Sequence, residues 1–229
     1  MTPLLPDAAP AVVIADGTSA GVLSQVIADT FADLAVSRWL IPDPADRHRV
    51  FPDYFRLSVE HALADGIVCT TPGQDAVALW LPASETPAPP PEDYDERLAA
   101  ITGPWIDRFR TFDQALEDRH PAGFAHHHLA TLAVRPDRQG HGIGSALLRA
   151  HHAALDRDGI PAYLEASDLR TRRLYRAHGY ADCGAPLTFP GAVMYPMTRQ
   201  PRPCQPSGQA LPGCLAGSAG PGPAPGDAR

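Results

Sequence analysis

The spacing of apolar positions changes several times along the chain, and each change marks an element. Val12 to Ala15 is a short apolar run that predicts a buried strand. From Gly17 to Leu34 the spacing becomes helical, with Val22, Val26, Ile27 and Phe31 on one face. Asp43-Pro44 reads as an N-cap followed by proline at the first helical position, opening a helix toward Ala64. Asp65-Gly66 is a turn signal. Ile67 to Thr71 and Ala76 to Leu81 then predict a hairpin across Pro72-Gly73.

Beyond a proline-rich connector, Pro87 to Pro91, two helices are predicted near Glu92 to Ala100 and Pro104 to Arg119. Trp105, Phe109, Phe112 and Leu116 share a face of the second. Leu129 to Val134 predicts a buried strand. Gly142 to Asp158 predicts a helix with Ile143, Leu147, Ala150, Ala154 and Leu155 inward. Ala162 to Ala166 is the next strand, Arg170 to His178 a short helix, and Tyr180 to Cys183 and Val193 to Met197 the last strands. Residues 201–229 hold seven prolines and six glycines among 29 positions, a composition that predicts disorder. The expected division is an N-terminal extension over 1–11, one domain over 12–199 and a tail over 200–229.

Composition narrows the function classes. At 229 residues and 44% hydrophobic, the chain can bury one substantial core. A net charge of −7 argues against nucleic acid as the main partner, because phosphate neutralisation needs a basic surface, and it suits a cationic substrate. None of the four cysteines is in CxxC spacing, so neither a disulfide framework nor a zinc site is expected. No basic leader and no membrane-length apolar run is present, and the expected location is cytoplasmic.

Candidate chemistry concentrates between Leu129 and Ser145. The predicted strand ends in Arg135-Pro136-Asp137-Arg138 and runs into Gln139-Gly140-His141-Gly142-Ile143-Gly144 before a helix. Strand, glycine turn and helix start together leave backbone N–H groups free to face an anion, and glycine permits its close approach. A Walker loop is excluded because Ser145-Ala146 follows Gly144 where Lys-Ser/Thr would stand. A dinucleotide fingerprint is excluded because the third-glycine place is Ser145 or Leu147. The plainer alternative is a glycine-punctuated strand-to-helix turn.

Gln-x-x-Gly-x-Gly in this setting resembles the pyrophosphate-binding turn of the GNAT superfamily of acyl-CoA-dependent N-acetyltransferases. The resemblance covers about residues 12–199. HLATLAVRPDRQGHGIGSALL, PAYLEASDLRTRRLYRAHGY and TFADLAVSRWLIPDPADR further resemble the puromycin N-acetyltransferase branch. The resemblance implies an α/β (α+β) fold: a mixed, mostly antiparallel sheet of six to seven strands, flanked by helices and splayed at the acyl-CoA site. It implies acetyl-CoA as co-substrate with no metal, and a small-molecule amine as acceptor, antibiotic-like or aminonucleoside-like. A protein or peptide amine acceptor and a non-catalytic acyl-CoA sensor are the alternatives.

By the same resemblance, the backbone of Leu132, Ala133 and Val134 would meet the pantetheine arm and thioester. Gln139, Gly140, His141, Gly142, Ile143, Gly144 and Ser145 would cradle the pyrophosphate. Tyr175, ten positions after Glu165, matches the family tyrosine that protonates the departing sulfur. Arg170 aligns with a family arginine, and Thr171 stands where an asparagine is usual.

The base stays open between Glu165 at its strand end and the run His126-His127-His128, whose alternation puts His126 and His128 on one face. Polar strand-end histidines are the plain alternative for that run, and His120 and Glu117 are further lining candidates. Adjacent strand residues cannot converge as tetrahedral metal ligands. The acceptor sets how strong a base is needed. An alkylamine of pKa about 10.4 costs roughly 4.6 kcal/mol to neutralise at pH 7, an α-amine near 7.8 only about 1 kcal/mol.

Overall fold

The computed structural model describes residues 10–85 and 93–202. The Pro87–Pro91 connector and all but the first two residues of the 201–229 segment lie outside them, as do Cys204 and Cys214.

Eight strands form the central layer: β1 (Val13–Ile14), β2 (Ile67–Thr70), β3 (Ala76–Ala83), β4 (His126–Val134), β5 (Ala162–Ala166), β6 (Ala181–Asp182), β7 (Leu187–Phe189) and β8 (Ala192–Arg199). Their order is β1-β2-β3-β4-β5-β8-β6, with β7 paired to β8. Every pairing is antiparallel except β4 with β5. The count exceeds the expected six to seven because β7 is only Leu-Thr-Phe, too short to show a period. Among the described residues, seven α-helices surround the sheet: α1 (Ala20–Phe31), α2 (Ala35–Leu40), α3 (Pro44–Asp65), α4 (Tyr94–Thr102), α5 (Ile106–Glu117), α6 (Ile143–Asp158) and α7 (Leu169–Ala177).

The predicted starts and stops have the expected causes. Asp43 caps α3 by accepting from the N–H groups of Ala45 and Asp46, with Pro44 at N1. Gly159, at φ 70°, ends α6 in the left-handed conformation that glycine adopts without strain.

On one face of the sheet, Leu23, Val26 and Ile27 of α1 and Val59 and Ala62 of α3 pack on Val77, Leu79 and Ala133. On the other, Ile143, Leu147, Leu148 and Leu155 of α6 pack on Ala76, Ala78, Trp80, Leu129 and Leu164. Each fully buried leucine contributes roughly 1.5–3 kcal/mol.

Three local expectations are corrected. β1 is exposed, not buried: it is the sheet edge, and Ile14 is 67% accessible. Val22 points outward, and the buried stripe of α1 runs through Leu23, Val26 and Ile27. Ala150 of α6 is also exposed, while His151 and His152 are buried. Those two imidazoles bury favourably because each has a partner. His151 Nε2 bonds His127 Nδ1 at 3.0 Å and stacks on Trp80, and His152 Nε2 bonds the Tyr180 hydroxyl at 3.0 Å.

Among the described residues no helix is long and apolar enough to cross a membrane.

Candidate active site

The site begins with two departures from regular pairing. β4 pairs β3 through eight residue pairs, but Trp80 opposes Leu129 while Leu79 opposes Thr131. Ala130 is the extra residue of a β-bulge, and it resets the alternation of β4. His126 and His128 face one side before the bulge, and Leu129, Leu132 and Val134 all reach the α6 side across it.

The second departure is a fork. β4 pairs β5 only at His127–Ala162 and His128–Tyr163, after which the strands part. Arg135 N–H donates to Asp75 C=O, so alternation turns Ala133 toward β3 and turns Leu132 and Val134 toward the gap. Val134 C=O already accepts from the Thr30 hydroxyl at 3.2 Å and the Gln139 amide at 3.1 Å. The open backbone groups in the gap therefore belong mainly to Leu132.

The glycine turn continues from β4. Gly140 and Gly142 hold φ values of 82° and 76°, and Gly142 is the N-cap residue of α6 without a side-chain cap. From Gly140 through Ser145 no backbone N–H has an acceptor among the described residues; the first such bond in α6 is Ala146 N–H to Gly142 C=O. Gln139 N–H is turned inward to Pro136 C=O. A Cβ built on Gly140 or Gly142 meets nothing within 4 Å, so the space over the turn is open for a ligand. His141 folds its ring onto the carbonyls of Arg138 and Gln139. A row of free N–H groups at a helix start, joined to a forked sheet, fits the diphosphate and amide-bearing arm of coenzyme A.

At the mouth of the fork stands a polar cluster that joins residues far apart in the chain. His128 Nε2 lies 2.9 Å from Glu165 Oε2. The Glu165 side chain is 6% accessible and His128 16%, so the imidazole is the more reachable of the two. Glu165 Oε1 is buried without a hydrogen-bond partner. Burial raises the Glu165 pKa, but His128 beside it, with a hydrogen bond and its charge, outweighs that and leaves the carboxyl below its ordinary value. Its sign is therefore that of an ionised carboxylate at neutral pH.

His120, in the turn after α5, bonds His126 through facing Nε2 atoms at 3.1 Å and sets its ring against His128 at 5.0 Å. Burial first, then the neighbouring imidazoles, push His120 down to about 4. Ligand atoms of His120, His128 and Glu165 lie within 4.8 Å of one another, with the His128–Glu165 hydrogen bond inside that grouping. Tyr163, from the same face of β5, closes the cluster with its hydroxyl on Arg119 C=O at 3.2 Å.

Tyr175 sits on α7, 7% accessible, edge-on to Tyr180. Its hydroxyl makes no hydrogen bond among the described residues. Burial, then the carboxylates of Asp168 and Glu165, raise its pKa, so the phenol keeps its proton at neutral pH. Thr171 serves a capping box: its N–H donates to Asp168 Oδ1 at 2.7 Å and its hydroxyl accepts from Asp168 N–H at 3.2 Å. Arg170 is exposed. Arg172 and Arg176 both pair with Asp182, so two of the four arginines on α7 are held within the chain. Glu117 closes α5 and is not in the cluster.

Residues 110–182 match the model of the acetyltransferase (GNAT) domain, a span that contains the bulged strand, the glycine turn, Glu165 and Tyr175. The chain has the GNAT acetyltransferase fold. Among solved structures, a Corynebacterium glutamicum protein described as histone acetyltransferase HPA2 and related acetyltransferase is 25% identical, with a TM-score of 0.65 over 87% of this chain and 99% of its own. Arylalkylamine N-acetyltransferase 2 from Aedes aegypti superposes with a TM-score of 0.55 at 14% identity, over 84% of this chain and 99% of its own. The C-terminal condensation domain of Ebony, seen with beta-alanyl-dopamine, gives 0.54 at 12%, over 83% and 98%. These last two speak to the fold alone. The protein is a GNAT-fold N-acetyltransferase with acetyl-CoA as co-substrate.

Proposed function

We propose that this acetyltransferase acetylates the amine of a small molecule, with His128 as base, Glu165 as its orienting carboxylate and Tyr175 as donor to the leaving sulfur. The His128–Glu165 hydrogen bond at the fork carries this reading. A carboxylate on Nε2 fixes the tautomer with the proton on that nitrogen, leaves Nδ1 to take a proton, and stabilises the imidazolium that results. The more accessible imidazole does the proton transfer, and the buried carboxylate supplies charge.

The neutral amine attacks the thioester carbonyl carbon and a C–N bond forms. Leu132, with open backbone groups in the gap, is placed to hold the pantetheine arm and thioester, and the N–H groups of Gly140 to Ser145 to hold the diphosphate. His128 removes the extra proton from nitrogen, the C–S bond breaks, and the sulfur leaves as a thiolate that accepts a hydrogen bond from the Tyr175 hydroxyl, while the imidazolium later returns its proton to solvent. A thiol of pKa near 8.5 is a fair leaving group, so a hydrogen bond from a phenol that stays protonated is adequate help.

An acceptor with an α-amine, as in an aminonucleoside, suits an imidazole base because its neutralisation cost is small. The sequence likeness to the puromycin N-acetyltransferase branch supports that class. The test is thiol release from acetyl-CoA by the purified protein against a panel of aminonucleosides, arylalkylamines and N-terminal peptides. Amine-dependent release confined to small molecules is expected. Release with peptides alone would replace the acceptor class, and no amine-dependent release would remove the catalytic reading.

A further inference from the structure

A second polar cleft lies outside the acetyl-transfer site, between α6, the end of α7 and the end of β8. Its volume is about 430 Å³, and Arg149, His152, Asp156, His178, Arg199 and Arg202 line it. The charge in it is unbalanced: three guanidinium groups face one carboxylate, in a chain whose net charge is −7. Asp156 is shared, taking Arg199 Nη2 at 2.7 Å and the Arg202 backbone N–H at 2.7 Å.

The Arg199 side chain is 2% accessible. Its Nε donates to His178 C=O at 3.2 Å, and its Nη1 is left with no hydrogen-bond partner. Arg149 makes no ion pair or hydrogen bond among the described residues. The Arg202 guanidinium folds back over Gly179, where an added Cβ would stand 3.2 Å from its Nη2. His178 Nε2 is 2.9 Å from the Ser145 hydroxyl, so one wall of the cleft is tied to the glycine turn.

We infer that this cleft binds a phosphate group carried by a small molecule. A buried guanidinium with an unmet donor is costly, and an anion is the partner that meets it. Two positive charges remain after Asp156 is counted, the charge of a phosphate monoester dianion, and guanidinium forks match phosphate oxygens in pairs. The cleft is open enough to admit a larger body behind the phosphate. The ligand is a phosphorylated metabolite separate from the coenzyme, whose diphosphate has its own row of free N–H groups at the glycine turn.

The inference stands apart from the acetyl-transfer reading, because its first test uses inorganic phosphate with no acetyl-CoA. Phosphate is titrated against thermal unfolding and the imidazole NMR signals of the full chain, with chloride at matched ionic strength as control. Saturable stabilisation is expected, with the His178 signals moving. The Arg149→Ala/Arg202→Ala variant removes two exposed side chains and leaves the Arg199–Asp156 tie intact. It should weaken phosphate binding about tenfold or more.

The second arm measures binding of acetyl-CoA and its 3′-dephospho form with and without phosphate. Indifference of both coenzyme forms to phosphate is expected, and competition with either one assigns the cleft to the coenzyme and overturns the proposal. Stabilisation that chloride reproduces, or that the folded double variant retains in full, overturns the proposal.

Discussion

Gly142 offers the sharpest test of the co-substrate turn, because two costs of replacing it can be separated. Its φ of 76° is one that L-residues with a Cβ adopt at a cost of about 1–2 kcal/mol, while asparagine tolerates it better. A Cβ there meets nothing within 4 Å, so backbone strain is the only cost to the free protein. For a domain of this size that strain lowers Tm by roughly 2–8 °C in Gly142→Val. Gly142→Asn should melt nearer the wild type.

On the proposed assignment of the turn, both variants put a Cβ into the space where the diphosphate would approach the free N–H groups. Acetyl-CoA at about 100 times Kd stabilises the wild type by about 2.7 kcal/mol, which is roughly 5–11 °C in Tm. The assay is thermal unfolding of wild type, Asn and Val variants with and without acetyl-CoA. The expected result is a near-normal free Tm for Asn with most of its ligand-induced shift gone. A full ligand shift in Gly142→Asn would refute the assignment, since it would show that ligand does not come close to this backbone.

The other predictions concern the reacting groups and the boundaries. Tyr175→Phe keeps the ring packing and removes the hydroxyl proposed to donate to the leaving sulfur, so kcat should fall roughly 10²–10⁴-fold with acetyl-CoA affinity retained; unchanged single-turnover rates would return Tyr175 to a packing role. Glu165→Gln keeps the shape but not the charge behind His128, and turnover should fall by a similar factor of roughly 10²–10⁴. A normal rate in that variant would leave the dyad without function. His151 and His152 are held by burial at about 4 and 3, below the ordinary imidazole value of about 6.5. A lowered folded pKa means the unfolded chain takes up more protons, so this stability is intact above about 6.5 and is lost as pH falls toward 4, by a few kcal/mol. Urea midpoints across that range should drop, and less steeply in His151→Phe; a flat profile would count against buried neutral imidazoles. Removing 203–229 should leave melting and turnover unchanged, whereas cutting at 201 also removes the Arg202 N–H bond to Asp156.

The elements most legible in the sequence were those that local chemistry dictates. Asp43-Pro44 begins a helix whatever surrounds it, and Gly142 ends a strand-to-turn passage because few other residues hold its φ. What stayed hidden depends on partners far along the chain. His151 and His152 look like surface residues until His127 and Tyr180 supply hydrogen bonds from 24 and 28 positions away. The Ala130 bulge cannot be seen in a pattern read as strict alternation, yet it alone lets His128 and Leu132 face opposite sides of one strand. Glu165 and His128 were both candidates for base, and their pairing across 37 positions needed the parallel contact of β4 with β5. α2 and β7 escaped notice because six and three residues are too few to reveal a period.

The fork has a mechanical consequence. Strands β1 to β4 form one half-sheet and β5 to β8 another, and the seam between them is stitched by only two residue pairs. Helix α6 packs against strands of both halves, so the backbone seam is narrow while the core beneath it is shared. On the proposed reading, a co-substrate lying in the gap would act as a temporary extra strand along the seam. Amide hydrogen exchange along β5 and the end of β4 should slow when acetyl-CoA is bound, while exchange in the β2–β3 hairpin stays as it was. On this view the substrate is also the last structural element of the enzyme, added at the start of every turnover and released at its end.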